Sequence, residues 1–129
     1  MDFPKQTAVA TLLILAQYGT FALMVGGARR RFGVKVPTMT GPPRFERTMR
    51  VHLNTMEQLP IVLPLVWMAA LTAGDALAAW TGVAWVGSRV VFAIGYLQDA
   101  RRRTPGALLG DAVLAALIAE VAWGLTRVW

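Results

Sequence analysis

Four apolar runs divide this chain, and each is long enough, or nearly so, to cross a bilayer. The first, Thr7 to Ala28, is about 22 residues with no charge; about 20 apolar residues span hydrocarbon as an α-helix. The second, Leu59 to Ala73, is short alone, but becomes a full span if its helix starts near Pro43. The third runs from about Ala76 to Leu97 and the fourth from about Pro105 to Thr126. None alternates apolar and polar residues with period two, which argues against a β-barrel. Only 16% of residues are charged and 56% are hydrophobic, against about 25% charged in soluble domains. The 129 residues therefore read as one all-α membrane domain, with spans at roughly 7–28, 44–73, 76–100 and 105–127.

The punctuation between the runs sets the topology. Gly33 to Pro43 holds two glycines and three prolines, and is a loop. The connections near Gly74-Asp75 and Arg101–Thr104 are very short, and short connections force antiparallel neighbours. The expected architecture is an up-down four-helix bundle. Asp75 is placed to cap the third helix. Thr104-Pro105 reads as an N-cap followed by proline at the first helical position, where its missing N–H costs nothing. Pro60 and Pro64 are expected to kink the second helix, and Ala112, Ala116 and Ala119 to serve packing on the fourth.

Charge gives an orientation. The chain carries 13 Lys and Arg against 7 Asp and Glu. Arg29, Arg30, Arg31, Lys35, Arg44, Arg47 and Arg50 flank the first loop, and Arg101, Arg102 and Arg103 the third. The opposite side has only Lys5 and Arg127. Both basic loops are expected to be cytoplasmic and both termini on the other side. The excess of cations is explained by topology without nucleic acid. The first run is too long, and too weakly charged before it, for a cleaved signal peptide. With no cysteine and one histidine, the chain offers no thiolate of its own and a poor ligand set for a metal.

The ionisable residues inside the spans need explanation. On a helix begun at Pro43, Arg47, Arg50, Asn54 and Glu57 follow at steps of 3, 4 and 3 and share a face. A carboxylate as deep as Glu57 costs about 2.5–3.5 kcal/mol and requires a partner. Arg89, near the middle of the antiparallel third helix, is the expected partner, with Glu120 on the fourth helix competing for it. Arg89, Tyr96 and Arg103 are spaced by seven and line one face of the third helix. The two stripes together predict a polar crevice at the basic end, holding cations, an amide, a phenol and a carboxylate. That set suits a small zwitterion carrying carboxylates and an amine.

The string GPPRFERTMRVHLNTMEQLP (Gly41–Pro60), preceded by ARRRFGV and followed by Gly95-Tyr96 and Arg103, resembles the MAPEG superfamily of membrane-associated proteins in eicosanoid and glutathione metabolism. The similarity is to its leukotriene C4 synthase and microsomal glutathione transferase 2/3 branch. The resemblance implies a homotrimer of four-helix subunits with glutathione bound between neighbours at the cytoplasmic side. It implies Arg29, Arg50, His52, Asn54, Glu57 and Tyr96 as glutathione contacts, His52 standing where the family has glutamine. It implies Arg103 as the arginine that holds the thiolate, and Arg30 as a helper on the electrophile side. The chain departs from the pattern at Phe92 and Gln58, where close members have tyrosines. It departs again at Ala115, where leukotriene-forming members have tryptophan, which weakens the case for leukotriene A4. The expected activity is transfer of glutathione to a lipophilic electrophile arriving from the bilayer, with hydroperoxide reduction as a further activity. The alternatives are a non-catalytic lipid- or glutathione-binding accessory protein, and a structural bundle whose stripes only fix register.

Overall fold

A computed structural model describes residues 2–129. Four long helices, α1 (Lys5–Phe32), α2 (Pro43–Thr72), α3 (Asp75–Gln98) and α4 (Thr104–Val128), are joined by one long loop and two tight connections. A single 3₁₀ turn, Ala100–Arg103, leads into α4. All four helices are long and apolar enough to cross a membrane. Among the described residues there is no strand.

The central pair is α2 and α3; α1 packs against both from one side and α4 from the other. The half of the bundle farther from the arginine-rich loops closes around Ile14, Val62, Val66, Trp85, Leu117 and Val121. Nearer those loops the core is smaller, formed by Phe21, Val51, Phe92, Ala93 and Tyr96. Outward-facing Leu12, Leu23, Trp80, Ile94, Leu108 and Ile118 are exposed, an arrangement suited to lipid and not to water.

Helix ends follow local chemistry, with two corrections. Gly33 ends α1 at φ 66°, the left-handed conformation that glycine adopts without a Cβ penalty. Asp75 does not cap its own helix. Its carboxylate crosses to α1 and accepts the Gln6 N–H at 3.0 Å and the Thr7 N–H at 2.8 Å. The first residue of α1 follows a proline with no capping side chain, so the free N–H groups of α1 take the nearest carboxylate. Thr104 does not cap α4 either: it is already helical, because the 3₁₀ turn feeds directly into the helix. Helix α2 begins at Pro43, as its motif spacing requires, and runs through Pro60 and Pro64 as one element.

Within one chain, α4 packs through other small residues. Ala112, Ala116 and Ala119 are exposed, and the buried small residues are Gly106, Gly110 and Gly124. A Cβ at Gly106 would strike the backbone N and Cα of Phe92, and one at Gly124 would strike Thr72. The glycines thus let α4 lie directly on the backbones of α3 and α2.

Candidate functional site

Close contact of α4 with α3 opens a cavity on the remaining side, at the basic end of the bundle. Its volume is about 320 Å³. Helix α2 contributes Arg50, Asn54 and Gln58, α3 contributes Phe92 and Tyr96, the 3₁₀ turn contributes Arg103, and α4 contributes Ala107 and Asp111. It contains two guanidinium groups, two amides, a phenol and a carboxylate.

Arg103 reaches the cavity by a route the heptad reading did not contain. Helix α3 ends at Gln98, so Arg103 is not on its face. The 3₁₀ turn brings the guanidinium carbon back to 6.0 Å from the Tyr96 ring centroid. Its two neighbours are otherwise engaged. Arg102 Nη1 donates to Gln98 Oε1 at 3.0 Å. Arg101 clasps Asp99, with Nη2 donating to Oδ2 at 3.1 Å and the backbone N–H to Oδ1 at 2.9 Å. The Arg101 guanidinium, and then its backbone N–H, hold the Asp99 carboxyl below the usual carboxylate range. Of three consecutive arginines, one is left for the cavity.

Arg89 sits behind this wall with 0% exposure. The expected Arg89–Glu57 pair does not form. Arg89 Nη2 donates to Asn54 Oδ1 at 2.8 Å and to Thr55 Oγ1 at 3.0 Å, and the guanidinium carbon lies 4.1 Å from the Phe92 ring centroid. The reason is angular. The side of α2 that meets Arg89 lies between Asn54 and Thr55, and Glu57 is rotated about 60° past Asn54 in the other direction. The Glu57 carboxylate instead lies 3.8 Å from Arg50 Nη1, with both side chains about half exposed. Glu120, the competing partner, contacts the Thr81 hydroxyl.

The remaining predicted residues separate into other places. Arg47 ties α2 to the end of α3 by donating to the Leu97 carbonyl at 3.3 Å. Arg29 and Arg30 line a different, shallow concavity with Gly33, Lys35 and Val36. Arg29 also holds the loop by donating to the Thr38 carbonyl at 2.7 Å. His52 stacks on Tyr18 of α1, with ring centroids 5.0 Å apart and planes 12° apart. Within one chain, then, Arg50, Asn54, Tyr96 and Arg103 meet, whereas Arg29, Arg30 and His52 lie on the α1 side. Asp111 was missed from the sequence. The signal was available: a carboxylate inside an apolar span demands a reason.

The model of the MAPEG family matches residues 7–123. An uncharacterized protein of Synechocystis sp. is 39% identical over 123 residues, covering 95% of this chain and 85% of that protein. Microsomal glutathione S-transferase 2 of Homo sapiens is 34% identical over 120 residues, 93% of this chain and 82% of the relative. Leukotriene C4 synthase of Bos taurus is 35% identical over 118 residues, 92% of this chain and 79% of the relative. With four helices able to span a bilayer, the match makes this an integral, multi-pass membrane protein.

Proposed function

The chain belongs to the MAPEG family, and on that premise we propose that it is a membrane-bound glutathione transferase. Its relatives at about one-third identity include a microsomal glutathione S-transferase 2 and a leukotriene C4 synthase, which supports glutathione-related transferase activity in general. The observation that carries the finer reading is the selection of Arg103. It alone of the arginine triplet lines the cavity shared by Arg50, Asn54 and Tyr96.

In this mechanism Arg50, Asn54, Glu57 and Tyr96 hold the tripeptide backbone, and Arg103 faces the sulfur. A free thiol with a pKa of about 8.5 is mostly protonated near neutral pH. A guanidinium stays charged and donates to sulfur without taking its proton. The proton leaves to water and the thiolate remains. Each unit of thiol pKa depression is about 1.4 kcal/mol of differential stabilisation. The thiolate attacks carbon of a lipophilic electrophile entering from the bilayer; an S–C bond forms and the leaving group departs. With a hydroperoxide, two glutathiones become the disulfide and the peroxide becomes an alcohol and water.

The separation of Arg29, Arg30 and His52 from the cavity supports assembly as a homotrimer. In it, the α1 side of one subunit faces the cavity of the next and glutathione is held between them. Arg30 then stands on the electrophile side. The charge asymmetry supports a cytoplasmic site, with both termini across the membrane.

Arg103→Ala tests the mechanism. Conjugation to a generic aryl halide at neutral pH is expected to fall about 10- to 100-fold, the size of a one- to two-unit thiol shift, while glutathione still binds. Raising the pH restores part of the rate. Arg102→Ala should behave as wild type. Identical thiolate titrations for wild type and Arg103→Ala, with full activity in both, would overturn it. Glutathione binding with no conjugation by the wild type would favour the accessory role.

A further inference from the structure

We propose that a groove between α1 and α2, at the basic end of the bundle, is a binding site for an anionic phospholipid. Arg31 and Arg44 hold the phosphate, and an acyl chain runs down the α3 surface beside them. The site is separate from the cavity lined by Arg50 and Arg103 and does not depend on what that cavity binds.

The groove has a volume of about 270 Å³. Met24, Ala28 and Phe32 of α1 and Leu97 at the end of α3 give it an apolar floor, and the exposed Arg31 and Arg44 complete its lining. Thr48, the other polar side chain there, spends its hydroxyl proton on the Arg44 carbonyl at 2.9 Å. The Arg31 guanidinium carbon lies 5.4 Å from the Phe32 ring centroid, a cation–π contact that holds it by the floor.

Both cations are unspent. Neither Arg31 nor Arg44 has an ion pair among the described residues, and no carboxylate lines the groove. The nearby acids are engaged elsewhere: Glu46 accepts the Gly41 N–H at 3.3 Å, and Asp99 is clasped by Arg101. Arg47, on the next turn of α2, is committed to the Leu97 carbonyl.

Two free guanidinium forks suit a phosphate, and the surface below them selects one carried by a lipid. Leu97, Ile94 and Val90 follow at steps of 3 and 4 and share a face of α3. Ile94 and Val90 are exposed. They extend the floor as an apolar track of about 10 Å at 1.5 Å per residue. An acyl chain covers that track, whereas a free anion leaves it bare. Basic pockets between membrane-spanning helices are places where anionic headgroups bind. Arg29 and Arg31 are about 200° apart around α1, so a neighbouring subunit on the Arg29 side leaves this groove facing lipid. The competing account is a diffuse field from all the cations at this end, with no site.

The test is native mass spectrometry of detergent-purified protein with phosphatidylglycerol and phosphatidylcholine of the same acyl chains. Wild type should prefer phosphatidylglycerol by about 25-fold, about fivefold for each arginine. Arg31→Gln and Arg44→Gln should each lose about fivefold, and the double variant the preference itself. Both side chains are exposed, so these substitutions leave the core untouched. Lys35→Gln and Arg102→Gln remove the same charge from the same end, outside the groove, and should keep the wild-type preference. Inorganic phosphate and the soluble headgroup glycerophosphoglycerol, in large excess, should displace no lipid. Displacement by either would make this a free-anion site and overturn the lipid assignment. Equal losses in groove and control variants, or no preference in wild type, would overturn the proposal outright. Binding is read without glutathione, so the result is independent of the transferase reading.

Discussion

Arg89 and Arg103 lie two heptads apart and do opposite things with the same side chain. Arg89 is fully enclosed. Its guanidinium is held by Asn54 and Thr55 and capped by the Phe92 ring. Arg103 is exposed at a cavity mouth, near the Tyr96 ring and without a carboxylate partner among the described residues. A buried cation that meets polar groups on its neighbours locks α2 to α3. A cation left at the rim is available to something that arrives. The two are separated by the end of α3: Arg89 is fixed by helix packing, Arg103 by a 3₁₀ turn of four residues.

That comparison breaks if the buried arginine is dispensable. Thr55 is 0% exposed, and its hydroxyl both donates to the Val51 carbonyl at 2.8 Å and accepts from Arg89. Thr55→Val removes the acceptor and leaves a buried charge short of a partner. The expected loss is about 1.5–3 kcal/mol, read by denaturant titration in mixed micelles. Arg103→Ala in the same assay should move stability by no more than about 0.5 kcal/mol, although it cuts the conjugation rate. If the two variants lose stability equally, the division of labour is wrong.

The next effect is smaller and lies at the other end of the bundle. Asp75→Ala removes the carboxylate that accepts the first free N–H groups of α1. By analogy with loss of an N-cap it should loosen the first turn of α1. Amide exchange should speed up at Gln6 and Thr7 first. Unchanged protection at those two amides would show that the inter-helix cap carries no weight.

The smallest effect concerns the turn that presents Arg103. Because Arg101 holds the Asp99 carboxyl below its ordinary value, the clasp contributes above the unfolded carboxylate pKa of about 3.9. That contribution is lost as pH falls through the lower folded value. The Asp99 side chain should therefore titrate below about pH 4, with a coincident shift at the Arg101 guanidinium followed by NMR. Asp99→Asn should abolish the coincidence while leaving the helices intact. An Asp99 titration at or above the ordinary value would discard the clasp.

The candidate site was legible in part, and the misses have a common cause. The steps of 3 and 4 from Arg50 to Asn54 and on to Glu57 located one wall, because spacing on a single helix is fixed by its own geometry. The same steps placed Glu57 beside its neighbours but could not tell which side of α2 would meet α3. The pairing with Arg89 failed on a rotation of about 60°. The heptad from Tyr96 to Arg103 arrived at a cavity-lining residue through a helix that stops at Gln98, since a 3₁₀ turn returned the chain to the same side. Asp111 went unread because its meaning depends on Gly106 and Gly110, which draw α4 onto α3.

What the sequence determined by itself was the local and the one-dimensional. The lengths of the four apolar runs, the loop at Gly33–Pro43 and the start of α2 at Pro43 follow from the cost of burying backbone and charge in hydrocarbon and from the rigidity of proline. The tertiary structure decided which polar groups meet. It sent Asp75 to cap α1, gave Arg89 to Asn54 and Thr55, freed Arg103 from its two neighbours and turned Asp111 into the cavity. Those choices rest on helix rotation and close approach, which depend on the side chains of two helices at once and leave no periodic trace along either one.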